Sequence, residues 1–318
     1  ARAVVYDGEV RRLFGVYDAL CAAGVPKEDA RFVLPYGFHS NFFCSMNARE
    51  LVHVMNELTY GRGAKYAELR ALGESLFAQC EAKAPYLALR KEREYAVQPP
   101  EVPAGVALRC DAAVTLLDGT TEPERLICRA WQIGQGRMPT ELDEAQMRDV
   151  LAALLRQPRK RELQQASFTL LFGGMSLAAL THLTRHRMQA LVAPDLLKNA
   201  DYGRYVLPQS VIDCDMEEQY RAAFSGAAAC AAQLASMGAD ETQLCYLLLS
   251  GQTVPVLATM NAGELYTFFR LRTCKRAQWE IRAIAVEVLR VLRKAHPLLF
   301  SLYGPTCFMT GRCPEGKM

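Results

Sequence analysis

The sequence predicts a helix-rich α+β protein with a small, mostly antiparallel sheet and a helical module that occurs twice. Three observations carry this expectation. First, Met46-Asn47-Ala48-Arg49-Glu50-Leu51 returns as Met260-Asn261-Ala262-Gly263-Glu264-Leu265, an offset of 214. Gly24 and Gly238 share that offset, while Glu68-Leu69-Arg70 and Pro85 return 212 residues later as Glu280-Ile281-Arg282 and Pro297. Aligned features in one order, with a two-residue insertion near Gly61–Tyr66, are the mark of a duplicated module. Second, apolar residues follow helical spacing within each copy. Third, an apolar, β-branched run, Val106–Leu117, lies between the copies.

Each copy reads as three helices. The first covers Val10–Ala23 or Glu217–Met237 and stops at Gly24 or Gly238, glycine being the residue that leaves a helix through the left-handed region. An irregular segment follows. The second starts near Ala48 or Ala262, with Asn47 or Asn261 as N-cap. The third runs from about Ala67 or Gln278 to just before Pro85 or Pro297, where proline ends it.

Between the copies, Gln98-Pro99-Pro100-Glu101-Val102-Pro103 reads as a linker. Val106–Leu117 is expected as a strand, Thr121 as the cap of a helix with Glu124 at capping-box spacing and Pro123 in its first turn. Thr140–Arg156 is expected as an amphipathic helix and Ala166–Phe172 as a strand. Gly173-Gly174 should turn the chain into a helix over Met175–Met188. The resulting division is 1–97, the helical half of a first repeat; 98–105, a linker; and 106–318, a second repeat with an α+β part at 106–215 and a helical part at 216–318. By analogy with the second repeat, the native chain is expected to extend about a hundred residues ahead of Ala1.

Composition narrows the function classes. With 318 residues, 51% of them hydrophobic, the chain can bury a large core. A net charge of +3 is too small to argue for nucleic acid, and no apolar run reaches the ~18 residues of a membrane span. Eleven cysteines without a visible secretory leader fit a reduced, cytoplasmic setting.

The sharpest local signal is Thr181-His182-Leu183-Thr184-Arg185-His186-Arg187. Cationic heads this close repel one another unless an anionic or electron-rich group sits against them. Taken alone, the tripeptide reads as cations at a helix C-terminus.

The surrounding motifs add to it. Ala166-Ser167-Phe168-Thr169, Gly174-Met175-Ser176, Arg185-His186-Arg187, Met260-Asn261-Ala262, Ala277-Gln278-Trp279-Glu280-Ile281-Arg282 and Gly304-Pro305-Thr306-Cys307 together resemble the flavin-dependent thymidylate synthases. So do Ala30-Arg31-Phe32-Val33-Leu34-Pro35 and Asn47-Ala48-Arg49 in the first copy, and Cys313-Pro314-Glu315-Gly316 at the end. The resemblance covers nearly the whole chain. It implies the fold of the thymidylate synthase-complementing proteins, with FAD held between subunits of a homotetramer. It also implies NADPH as reductant and transfer of a methylene from methylenetetrahydrofolate to dUMP without a cysteine nucleophile.

On this resemblance, Arg185, His186 and Arg187 match a flavin-contacting triplet, and Asn47, Arg49 and His53 match a second flavin-contacting group. The second copy keeps Asn261 but has Gly263 and Thr267 at the other two positions. It alone keeps Arg272, the pyrimidine-contacting arginine and expected catalytic residue, where the first copy has Leu58. Arg31 matches a nucleotide-binding arginine whose counterpart is Cys245. His182 and Arg276 complete the expected substrate-binding set. No metal site is expected. The losses are complementary, so the chain is expected to form an asymmetric pseudo-dimer, and two chains a homodimer that mimics the tetramer.

The sequence departs from the family after Arg187. Hydroxyls and an arginine expected to clamp the nucleotide phosphate are replaced by Ala190, Val192, Ala193, Asp195 and Leu197, which puts dUMP in doubt. Two further readings therefore stand beside the first: a flavin enzyme for another pyrimidine or aromatic substrate, and a non-catalytic relative that keeps only the assembly. Several features carry plainer readings. Arg156–Arg161 reads as a solvated basic turn, Cys307 and Cys313 as free thiols, Trp279 as helix packing and His296 as a helix end. His39 has no partner that the sequence names.

Overall fold

A computed structural model describes residues 1–37, 41–88, 112–196, 201–314 and 316. The expected linker, the first half of the Val106–Leu117 strand, His39 and Leu197 lie outside these residues. The chain divides into two compact units: unit one comprises 1–15, 34–107 and 226–248; unit two comprises 16–33, 108–225 and 249–318. Among the described residues, no helix is long and apolar enough to cross a membrane.

Unit two is built on a four-stranded antiparallel sheet. Its strands are β1 (Val114–Gly119), β2 (Ser167–Ser176), β3 (Gln189–Val192) and β4 (Thr253–Asn261), in the order β1-β2-β4-β3. β4 alternates along its length, burying Val254, Val256, Ala258 and Met260. β2 buries Phe168, Leu170 and Phe172 on the same principle of period two. Helix α13 (Trp279–Ala295) also faces the core, through Ile281, Ala285, Val288 and Leu292. Each of the larger of these side chains contributes roughly 1.5–3 kcal/mol by leaving water. On the other face of the sheet the hydroxyls of Thr169 and Thr259 meet at 2.9 Å.

Three expectations are corrected here. Gly173-Gly174 does not end a strand and start a long helix. Phe172 pairs with Val256 and Met175 with Val254, so two glycines stand opposite Pro255 alone. That bulge falls where proline has no N–H to give the ladder, and β2 continues to Ser176. The helix that follows, α8, is only Leu177–Leu183, so Arg185-His186-Arg187 lies in the turn before edge strand β3. The segment ahead of Ala262, expected to be irregular, is β4, one of the two central strands.

Thr121 is not a cap. Helix α6 (Pro123–Gly134) starts after Glu122 with no side-chain cap, and Glu124 instead accepts a bond from the Leu299 amide at 3.2 Å. Helix α7 begins at Glu144 rather than Thr140, because Asp143 and Gln146 form a reciprocal capping box there. It ends at Arg156. In the basic turn beyond it, Lys160 lies over the Tyr266 ring at 4.5 Å.

Unit one is helical. Met55 of α3 (Ala48–Thr59) packs with Phe77 and Cys80 of α4 (Ala67–Lys83) and with Ala88 of α5 (Pro85–Ala88). A second cluster joins Val5 and Tyr6 of α1 (Arg2–Ala22) to Cys230, Leu234 and Leu247. The Arg12 guanidinium lies where a Cβ on Gly226 would be.

The elements recur at fixed spacing. α1 (Arg2–Ala22) and α10 (Glu217–Ser236) end before Gly24 and Gly238, both at positive φ, 98° and 83°. Lys27–Ala30 (α2) and the 3-10 turn Arg31–Val33 return as Glu241–Leu244 (α11) and Cys245–Leu247, offset by 214. α3 returns as α12 (Ala262–Arg272), also by 214. α4 and α5 return as α13 and α14 (Pro297–Phe300) by 212.

Candidate functional site

The site in unit two grows from the junction of β2 and α8. Ser176 ends the strand and caps the helix, its hydroxyl accepting from the Ala179 amide at 2.9 Å. Its own N–H and O–H donate to the two carboxylate oxygens of Glu280, at 2.8 and 2.5 Å. Burial pushes the Glu280 carboxyl above its usual range, and the two Ser176 bonds oppose that rise. The pair fixes the N-terminus of α13 to the start of α8.

The end of α8, the turn after it and the two ends of α12 then place the polar groups. His186 is 5% exposed, with Nδ1 2.9 Å from Glu264 Oε1. Arg272 Nε donates to His186 Nε2 at 3.1 Å, and Arg272 Nη2 donates to the His182 carbonyl at 3.2 Å. A guanidinium only donates, so Nε2 is the lone-pair nitrogen and the ring proton sits on Nδ1, facing Glu264. The result is a neutral imidazole locked between a carboxylate and an arginine, with the edge of Phe268 against it at 5.2 Å. Glu264 is held in turn by its place at the start of α12, where Asn261 accepts its amide at 2.8 Å.

Arg31, Arg185 and Arg272 all act on His182. Burial, then Arg272, Arg185 and Arg31 in that order, hold its imidazole below the usual histidine range. Burial and then Arg185 likewise lower the Arg272 guanidinium. His182 Nδ1 is buried without a hydrogen-bond partner. Such a group costs free energy unless a ligand satisfies it. Next to Arg31, Asp29 is 5% exposed and accepts from Trp279 Nε1 and Ser210 Oγ, each at 2.6 Å.

The structure thus brings together Arg31, His182, Arg185, His186 and Arg272, residues that are up to 241 positions apart (31 to 272). Arg187 follows His186 in the same turn and is exposed, as is Arg276 between α12 and α13. Asn47, Arg49 and His53 form a separate exposed group on α3 in unit one. Asn47 and Asn261 both use their side-chain oxygen on a helix cap, which leaves the NH2 as the donor each can offer a ligand. Two residues escaped the sequence reading. Glu264 was marked only by its place in the repeated six-residue signature, and Asp29 only by lying two residues before Arg31. Trp279, expected to pack, does so against Phe32 at 6.3 Å while its indole N–H is held by Asp29.

Guanidiniums close to a buried, unsatisfied imidazole nitrogen, set beside a small antiparallel sheet, define a class: an α+β protein with a cationic cluster suited to an anionic group. The chain belongs to the thymidylate synthase complementing protein family, whose model matches residues 3–86 and 115–298. It is 32% identical over 214 residues to a flavin-dependent thymidylate synthase of Geobacter sulfurreducens, covering 64% of this chain and 92% of that one. A flavin-dependent thymidylate synthase of Sulfurisphaera tokodaii is 32% identical over 205 residues, covering 62% and 79%. The fold is also that of a UMP/dUMP methylase, PolB, from Streptomyces cacaoi, with a TM-score of 0.54 at 19% identity over 62% of this chain and 96% of that one.

Proposed function

We propose that this protein is a flavin-dependent methyltransferase of the thymidylate synthase type, acting on a uridine nucleotide. One observation carries the proposal: Arg272, bonded to His186 and to the His182 carbonyl, stands at His182, whose Nδ1 is buried and unsatisfied. Guanidiniums can neutralise a phosphate and polarise a pyrimidine carbonyl, and Arg272 is the one whose aim is fixed by His186. The donor set fits FAD as well. Arg185 and Arg187 are exposed cations, and Asn47, Arg49 and His53 offer a second set of donors on α3. FAD, when bound, supplies the redox chemistry. NADPH is the proposed reductant and methylenetetrahydrofolate the proposed carbon donor.

The same reading makes the chain a tandem duplicate that works as a pseudo-dimer, with two chains completing a pseudo-tetramer in the cytoplasm. Reciprocal bonds support the duplication. Gly37 N–H donates to the Tyr246 carbonyl at 3.0 Å, and Gly251 N–H donates to the Phe32 carbonyl at 2.8 Å. Each partner in one bond lies 214 residues from its counterpart in the other, as the recurrence of one pairing in both copies requires.

One observation favours a different substrate within the same chemistry. The stretch after Arg187 is edge strand β3, which supplies Ala190 and the 61%-exposed Val192. Neither side chain can hydrogen-bond a phosphate. The test is direct. The purified protein is expected to carry flavin absorbance and to release tritium from 5-tritiated dUMP when given NADPH and methylenetetrahydrofolate. Flavin binding without release from dUMP, but with release from the nucleoside, selects the second substrate class. Absence of flavin after reconstitution with FAD defeats both readings.

A further inference from the structure

Unit two holds a second group of cations, apart from the Arg272–His186 pair. Lys160 Nζ lies 4.5 Å, and the Arg270 guanidinium carbon 5.4 Å, from the centre of the Tyr266 ring. Arg270 and Arg272 are two residues apart, about 200° around a helix, so the two groups leave α12 on opposite sides. Tyr266 is 9% exposed and forms a fixed floor. Its electron-rich face attracts each cation but does not remove their repulsion for one another. Burial, and then Arg270, hold the Lys160 amine below the usual lysine range.

Arg156, at the end of α7, joins these two around a cavity of about 710 Å3, inside the range of small-molecule sites. Among the described residues, no aspartate or glutamate lines it. Lys160 and Arg270 donate instead to neutral oxygens, the Gln157 carbonyl and the Thr306 hydroxyl. Elsewhere in unit two arginines meet carboxylates. Arg204, ahead of α9 (Gln209–Asp213), is 3.4 Å from Asp201, Arg221 is 2.7 Å from Glu217 and Arg290 is 2.6 Å from Glu287. The remaining walls of the cavity are largely apolar: Leu155, Leu302 and Phe308 of α15 (Thr306–Thr310), whose ring is 58% exposed.

We propose that this cavity binds a nucleoside polyphosphate, with its phosphates among Arg156, Lys160 and Arg270 and its base against Phe308 and Leu302. Three cations with no acid beside them complement a ligand of several negative charges, which a polyphosphate carries. A bare phosphate ion would answer the charges and leave the apolar walls wet. A flat base covers them, and stacking on an open aromatic ring suits any base. The basic run Arg156–Arg161, a solvated turn by its sequence, thereby gains a ligand on one side. The inference uses neither His182 nor Arg272 and stands apart from the flavin reading.

The test titrates ATP into the full chain by calorimetry, with FAD in excess so that a flavin position is already filled. One site is expected, weakened at least about thirtyfold by Lys160→Gln with Arg270→Gln, since two charge-assisted contacts are lost. Arg156→Gln and Phe308→Ala, both at exposed positions, should each weaken it at least about threefold, and Arg272→Ala should leave it within about twofold. Tripolyphosphate should bind at least about tenfold more weakly than ATP, because it has no base to stack. In the unaltered protein, ATP should slow acetylation of Lys160 at least about fivefold, read by mass spectrometry, and adenosine should not. Absence of ATP binding, binding indifferent to all four substitutions at the cavity, or tripolyphosphate as tight as ATP overturns the proposal. So does ATP binding that disappears when FAD is added, which would give the cavity to the flavin's own phosphates. A single-stranded oligonucleotide that protects Lys160 better than ATP overturns it in favour of nucleic acid. No readout is catalytic, so failure here leaves the proposed activity to its own assay.

Discussion

Helices α3 and α12 occupy the same place in the two copies, yet they have different fates. Both begin on a capping asparagine, with Asn47 accepting from the Glu50 amide at 3.0 Å and Asn261 from the Glu264 amide at 2.8 Å. Beyond the cap they diverge. α12 buries Glu264, Leu265, Tyr266, Phe268 and Phe269, sends Glu264 to His186 and ends on Arg272. α3 buries Met55 and Asn56, leaves Glu50 exposed and has Leu58 where the arginine stands. A helix and its cap need only local sequence, so both copies keep them. A locked guanidinium needs partners from α8 and the turn after it, and only α12 has them. The comparison teaches that the frame and the chemistry of this protein are separately encoded.

The largest expected effect separates the helices by activity. Arg272→Ala is expected to lower kcat/KM for the nucleotide at least about a hundredfold, equal to about 2.7 kcal/mol of transition-state stabilisation. Leu58→Ala at the matching position should leave turnover within about twofold. Equal losses in steady-state assays would erase the distinction.

Next comes the carboxylate behind the histidine. Glu264→Gln keeps the helix but removes the charge that holds the His186 Nδ1 proton, and about a tenfold fall in kcat is expected with little change in KM. Glu50→Gln should be silent. A nitrogen-15 histidine spectrum is the sharper readout, because Glu264→Gln should disturb the Nδ1–H tautomer while a merely structural role would not.

Stability should show where the copies remain alike. Asn47→Ala and Asn261→Ala are each expected to cost about 1 kcal/mol in chemical denaturation, since each removes one N-cap bond. A cost confined to Asn261→Ala would mean that the α3 cap contributes nothing.

The smallest effect concerns pH. His182 is held below its usual value, so the unfolded chain takes up that proton first as pH falls. The stability contributed by the neutral ring is complete above the usual value of 6.5 and is lost as pH drops toward the lower folded value. His182→Gln should flatten the slope of stability between these two points. Adding inorganic phosphate should raise the His182 midpoint in a proton NMR titration, because an anion offsets the repulsion from Arg272, Arg185 and Arg31. An unchanged midpoint would argue that the cationic cluster does not hold anions.

Much of the frame was legible in the residues. Gly24 and Gly238 end helices because only glycine leaves so readily with positive φ. Asn47 and Asn261 start them, and Pro85 and Pro297 stop them. The strands were harder. Pro255 argues against a central strand, and the matching stretch of the first copy carries no strand among its described residues 41–47. What lets Pro255 sit in a strand paired on both sides is the bulge at Gly173-Gly174 opposite it, which lies some eighty positions away. The same distance hid the site. Arg185, His186 and Arg272 were visible as residue types, but nothing near them in sequence named Glu264 as the anchor of His186.

The residues alone determined the spacing of helices, caps and breakers, and with it the recurrence at 214 and 212, because those features depend on neighbours within a turn or two. Only the tertiary structure decided that His186 is neutral and buried, that Arg272 is aimed by it, and that His182 has a nitrogen left over. Hydrogen-bond partners and desolvation come from chain segments far apart in sequence, and their effect exists only once folding has brought them within about 3 Å.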